Sequence, residues 1–182
     1  KKYLFIVLLV GVWSCEDTKE NQTIKFLKLS EVMNDGGYDA VQSINDEYFI
    51  VGRREGNIYD PNTGMTLQKI DSDGNEVWYK TFVNQSSNIL SIDFSNDGDL
   101  IMGGYKYDSN IDNNVPTLIK TDIDGNLQWL KEYDLNTSVN NTEIVTDVKT
   151  TSNNEYVFST FYNVRKSNSN GNLEWIYNIE GS

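Results

Sequence analysis

Two stretches of the chain set oxygen-bearing side chains at alternate positions, the spacing with which a loop wraps a hard cation. They are Asp71, Asp73 and Asn75, and then Asp122, Asp124 and Asn126. Calcium takes about six to eight oxygen ligands, and the EF-hand loop reaches that number with a glycine at its sixth position and a glutamate at its twelfth. Here Gly74 and Gly125 fall at the fourth position, and no glutamate closes a twelve-residue loop. A third copy carries Asn168, Asn170 and Asn172 and so has no charge to offer. A tight turn asks for the same residue types, because Asp, Asn and Gly tolerate its backbone and cap its amides. The expectation is therefore a set of turns and no cofactor or metal, with calcium at these loops as the alternative.

The rest of the inventory narrows the chemistry further. The chain has 182 residues, no histidine and a single cysteine. Histidine is the commonest general base and metal ligand near neutral pH, so the usual triads and thiolate zinc sites are out of reach, as is an intrachain disulfide. No catalytic residue is assigned, and enzyme chemistry would have to rest on a carboxylate pair. Side chains suited to holding a ligand gather instead in the long connections at 55–64 and 108–115: Tyr59, Asp60, Asn62, Asp108, Asp112 and Asn113. Tyr38 joins them from the connection at 30–39, and further loops run at 83–88 and 135–142. Long loops on a rigid scaffold are where binding residues concentrate, and aromatic and amide groups suit sugars or peptides.

What must position these residues is a repeat. Lys69-Ile-Asp-Ser-Asp-Gly-Asn-Glu-Val-Trp78 returns as Lys120-Thr-Asp-Ile-Asp-Gly-Asn-Leu-Gln-Trp129 and again as Lys166-Ser-Asn-Ser-Asn-Gly-Asn-Leu-Glu-Trp175. Each copy reads as a strand, a two-residue Asp-Gly or Asn-Gly turn, and a second strand. Gly74, Gly125 and Gly171 recur at spacings of 51 and 46 residues, as do Trp78, Trp129 and Trp175. A strand repeat of this length signals stacked β units, most often propeller blades.

Units are expected over 36–83, 84–134 and 135–180, after a leading strand at 24–29. The first has strands at 40–44, 48–53, 66–70 and 76–82, the second at 90–94, 100–105, 117–121 and 127–133. The third has them at 144–150, 156–161, 164–166 and 173–179. The fold class is all-β and β-propeller-like: three four-stranded blades plus the leading strand, within a repeat domain over 24–182. Phe26, Trp78, Trp129 and Trp175 are expected to wedge between neighbouring blades, as large aromatics at a fixed repeat position do. Propellers typically have about four to eight blades. The count thus suggests the amino-terminal part of a longer propeller, with self-association into a six-blade ring or a three-unit arc as alternatives.

The unit pattern resembles the blade repeat of quinoprotein-like (PQQ-like) β-propellers. The resemblance implies architecture; no counterpart of the quinone ligands of that family is present. The first fifteen residues carry a second resemblance. Lys1-Lys2, an apolar run at 3–13, and Ser14-Cys15 are similar to a bacterial lipoprotein signal, with Val12-Trp-Ser-Cys15 at the lipobox. That implies cleavage between Ser14 and Cys15, lipid attachment at Cys15, and a polar tether over 16–23. Eleven apolar residues make a helix of only ~16 Å, about half a bilayer core. Glu16-Asp17 resembles the surface-export signal of Bacteroidetes lipoproteins.

The formal charge of −12 and the absence of a basic stripe argue against nucleic acid as a partner. The expected protein is lipid-anchored at the bacterial outer membrane or cell surface. It binds or scaffolds a protein or glycan through its repeat domain and is able to self-associate. The alternative is a carboxylate-based glycan-active enzyme or a degenerate quinoprotein-like enzyme.

Overall fold

A computed structural model describes residues 35–54, 63–83, 87–134 and 143–179. The expected signal, Ser14, Cys15, the tether, the leading strand with Phe26, and Tyr59, Asp60 and Asn62 lie outside the described residues.

Among the described residues, twelve strands form three antiparallel sheets of four, each a meander in chain order. The first sheet holds β1 (Asp35–Gln42), β2 (Tyr48–Arg54), β3 (Gly64–Ile70) and β4 (Glu76–Val83). The second holds β5 (Asn88–Phe94), β6 (Leu100–Asp108), β7 (Asn113–Thr121) and β8 (Leu127–Glu132). The third holds β9 (Asp147–Thr150), β10 (Tyr156–Ser159), β11 (Asn163–Ser167) and β12 (Leu173–Asn178).

The registers superimpose. Lys69 faces Trp78, Lys120 faces Trp129 and Lys166 faces Trp175, and each sheet bulges one residue further on. Alternation sends successive side chains to opposite faces, so β6 in the middle sheet serves two cores. Phe49 and Val51 of β2 meet Leu100 and Met102 of β6 in one core. Ile101 of β6 meets Tyr156 and Phe158 of β10 in the next.

Four expectations need correction. The first strand, expected at 40–44, is Asp35–Gln42, so Tyr38 lies in a strand and not in the expected connection at 30–39. The repeated hairpins are not two-residue turns. Gly74 N bonds Asp71 O at 3.0 Å while Asp71 N bonds Asn75 O at 2.9 Å, and the other two copies do the same. That is a three-residue loop whose last residue is left-handed. Only the glycines carry the positive angle, with φ of 78°, 72° and 75°. The loop expected at 108–115 is mostly strand. β6 and β7 stay paired out to Asp108 and Asn113, leaving a tip at 109–112. Finally, the first strand of the third unit starts at Asp147, because Val145 N bonds Gly104 O of the second sheet at 3.1 Å. Phe161 likewise leaves β10 for the tight turn closed by Thr160 N on Asn163 O at 2.8 Å.

Candidate binding face

The innermost strands of the first two sheets bulge at matching places, at Tyr38 in β1 and at Leu90 in β5. The cause lies in the strands beside them. A side chain on Gly52 would lie 1.8 Å from Gly36 O, and one on Gly104 would lie 1.9 Å from Asn88 O. Glycine lets the bulged backbone close in, and a bulge re-aims the residue it carries. Tyr38 is thereby left 52% exposed.

Tyr105 of β6 lies near Tyr38 and near Arg53 of β2. Burial pushes its phenol above the ordinary tyrosine value, Arg53 draws it back, and Tyr38 adds to the rise. Asn88 at the head of β5 donates to Tyr105 Oη at 3.1 Å. Asn88 is 6% exposed, and its carbonyl oxygen is buried without a donor. A buried acceptor left unpaired costs about 1–3 kcal/mol. Arg53 has further partners and is not idle. Tyr38, Arg53, Asn88 and Tyr105 thus form one amphipathic wall at the junction of the first two sheets.

The other loop candidates serve their own turn. Asp108 Oδ1 accepts from Asn110 N at 2.8 Å, and Asp112 accepts from Tyr107 Oη at 2.5 Å. Asn113 Oδ1 accepts from Asn114 N at 2.8 Å. Of the residues expected at a ligand face, the structure brings only Tyr38 into the wall; Arg53, Asn88 and Tyr105 join it from strands. The signal that could have pointed to them is the pair of glycines, Gly52 and Gly104, at matching places in their strands.

The acidic loops are equally occupied. Asp71 Oδ1 accepts from the amides of Asp73 at 3.0 Å and Asn75 at 2.8 Å. Asp122 repeats this at 3.0 Å and 2.7 Å, and backbone bonding from Asn126 holds its carboxyl below the usual value. Asn168 accepts from Asn170 and Asn172 in the same way, both at 3.0 Å. An uncharged side chain does the same work, so the charge of the first two copies is not what closes the turn. Among the described residues, no group of three or more acidic or thiol side chains is placed to hold a metal ion.

Several carboxylates that the sequence did not single out tie one sheet to the next. The innermost strand of each sheet has a free edge whose amides need acceptors. Asp39 takes Ile92 N at 3.0 Å, and Asp93 takes Thr150 N at 2.8 Å. Ser91 donates to Asp147 at 2.9 Å. An open cleft of about 360 Å³ lies between the rims of the second and third sheets, lined by Lys131, Tyr133, Asp134, Gly171 and Ile176 among others. Tyr133 crosses its floor to donate to Gly171 O at 2.9 Å, and burial pushes its phenol up to about 12.

The glycine-tryptophan pattern is an inter-sheet joint. A side chain on Gly125 would lie 2.8 Å from the Trp78 ring, and one on Gly171 would lie 3.0 Å from the Trp129 ring. Lys80 donates to Asn126 at 2.9 Å and Lys131 to Asn172 at 3.4 Å. The indoles of Trp78 and Trp129 therefore each roof the hairpin of the next sheet.

No family model matches the chain, and no curated protein does. Solved structures do. A protein of unknown function from Bacteroides caccae aligns with a TM-score of 0.57 at 12% identity, over 82% of this chain and 48% of that one. A gluconolactonase from Xanthomonas campestris, described as important in glucose secondary metabolic pathways, aligns with a TM-score of 0.51 at 14% identity, over 85% and 51%. The chain spans about half the length of these structures. At such identities the likeness is one of fold: all-β and β-propeller-like, with its sheets unclosed.

Proposed function

We propose that this chain is a binding module of the bacterial envelope, taking a polar ligand such as a glycan against the wall of Tyr38, Arg53, Asn88 and Tyr105. The observation that carries this reading is the bulge at Tyr38, held by Gly52, which turns an aromatic ring outward beside a cation and an amide. A ring to stack on and polar groups beside it are what sugar recognition uses. The three blade-like sheets form the rigid support. The lipoprotein signal and Cys15 would tether the module to the membrane, with its acidic surface keeping it soluble.

The test uses the chain from residue 16 onward on arrays of glycans and peptides, with Tyr38→Ala alongside. Tyr38→Ala is expected to weaken any selective ligand about fivefold to tenfold, the worth of ~1 kcal/mol of aromatic contact, without moving the melting temperature. Equal binding by both proteins would refute the placement of the site. Turnover of aldonolactones or glycans by the parent chain would favour the enzymatic alternative. Anchoring is tested separately: Cys15→Ala is expected to move the full chain from the membrane fraction to the soluble one.

A further inference from the structure

We infer that the uncovered face of the third sheet, centred on Trp175, is the docking surface for a fourth four-stranded unit of the same repeat, whose β3–β4-type hairpin sets its glycine under the Trp175 ring. The inference rests on the two joints already in the molecule and is independent of the ligand site. Trp78 roofs Gly125 and Trp129 roofs Gly171. Trp175 holds the same register position opposite Lys166 and is 44% exposed.

The residues around Trp175 tell the same story. Phe49 and Ile101, opposite Lys69 and Lys120, are fully buried, as are Leu67 and Leu118. Their counterparts in the third sheet, Val157 and Val164, are only half-buried. All six residues of β12 are exposed, Tyr177 at 66% among them, whereas β4 and β8 are partly covered. An apolar face continuous with two established interfaces, and built on their pattern, fits a third interface of the same kind. One detail differs. Tyr177 stands where Lys80 and Lys131 hold an asparagine, so the incoming hairpin needs no asparagine after its glycine.

A second copy of this chain is the competing occupant, and the structure speaks against it. The hairpin such a copy could offer is that of Gly74, since Gly125 and Gly171 are already roofed, and Gly74 is itself buried. The solved structures that share the fold are about twice as long as the part this chain covers, which leaves room for further sheets.

The test appends a copy of residues 84–134 behind Ser182. Tryptophans are replaced by 5-fluorotryptophan, and Trp175 is assigned in the fluorine NMR spectrum through Trp175→Phe. In the chain as it stands, a soluble paramagnetic agent is expected to broaden Trp175 much more than Trp129. In the extended chain the broadening of Trp175 is expected to fall to the Trp129 level with the mass still that of a monomer, and Gly→Val at the appended copy of Gly125 should restore it. The proposal fails if Trp175 stays as accessible in a folded extended chain, or if the appended unit remains unstructured. It fails equally if the original chain is already a stable dimer with Trp175 protected.

Discussion

Asp97 shows how a single side chain can join two sheets. It belongs to the turn between β5 and β6, yet its carboxylate binds Lys120 at 2.6 Å, Ser95 at 2.5 Å and Asn154 of the third sheet at 3.2 Å. Burial would raise its pKa, but the bonds from Lys120, Ser95 and Asn154 outweigh it and hold the carboxyl well below the carboxylate range. A depressed folded pKa gives stability that is present above the unfolded value near 3.8 and lost as pH falls toward the folded one. Asp97→Asn should therefore lower the urea midpoint at pH 7 and flatten its decline below pH ~4. A second comparison concerns glycines. Gly98 and Gly125 both have positive φ, but a side chain on Gly98 would touch nothing, whereas one on Gly125 would strike Trp78. Gly98→Ala is expected to cost about 1–2 kcal/mol for the backbone alone, and Gly125→Ala at least ~1 kcal/mol more for the displaced ring. Equal losses in urea unfolding would show that the ring yields freely. The types of these residues were legible in the sequence, but their partners were not. Nothing local in Asp97 or Asp39 announces a bond to a residue more than fifty positions away. By contrast the repeat lysine could have been paired by eye: Lys69, Lys120 and Lys166 each meet an acid just before the second strand of their own unit, Glu47, Asp99 and Glu155.

Among the elements, the hairpins were the most legible, since alternation and turn residues fix them locally. β2, β4, β6 and β12 begin where the pattern places them. Besides β1, which begins five residues before its expected start, the misplaced elements are those governed by other parts of the chain. β6 and β7 run on past Tyr105 because their facing residues keep pairing, and β9 begins late because Val145 is drawn to the neighbouring sheet. The least foreseeable feature is the entry to the third sheet. Arg165 and Glu143 form a wholly buried ion pair, with Asn163 bonded to both at 2.8 Å and Asp134 O taking a further bond at 3.1 Å. In the first two sheets, the matching place to Arg165 is held by Gln68 and Ile119, so no repeat pattern foretells a cation there. Removing one member of such a pair leaves a buried charge uncompensated. Arg165→Met is expected to cost about 3–5 kcal/mol, and the double change Arg165→Met with Glu143→Leu distinctly less. Urea unfolding of the two variants checks this; an equal loss would mean that the pair acts through packing alone.

At the scale of the whole molecule, the number of sheets and their order could be read from the chain, because the repeat counts them. What the sequence left open was the wall at Tyr38, since it is assembled from two sheets by bulges whose cause is the absence of a side chain at Gly52 and Gly104. Restoring one should collapse it: Gly52→Ala is expected to lower the melting temperature and to abolish ligand capture on the arrays used for Tyr38→Ala, whereas Tyr38→Ala affects capture only. Loss of both properties by both variants would mean that the wall is structural. The strand order has a mechanical consequence as well. Each described strand pairs only with its neighbours in the chain, so no ladder runs between sheets. A molecule stretched from its two ends can therefore surrender one sheet without breaking the ladders of another. The third sheet, whose outer strand is exposed at every residue, should yield first, in a discrete step of roughly 100 Å at ~3.4 Å per residue. Its hold rests on the shared core of Ile101, Tyr156 and Phe158, an indole roof and a few side-chain bonds, so the force of that first step measures the strength of a single joint.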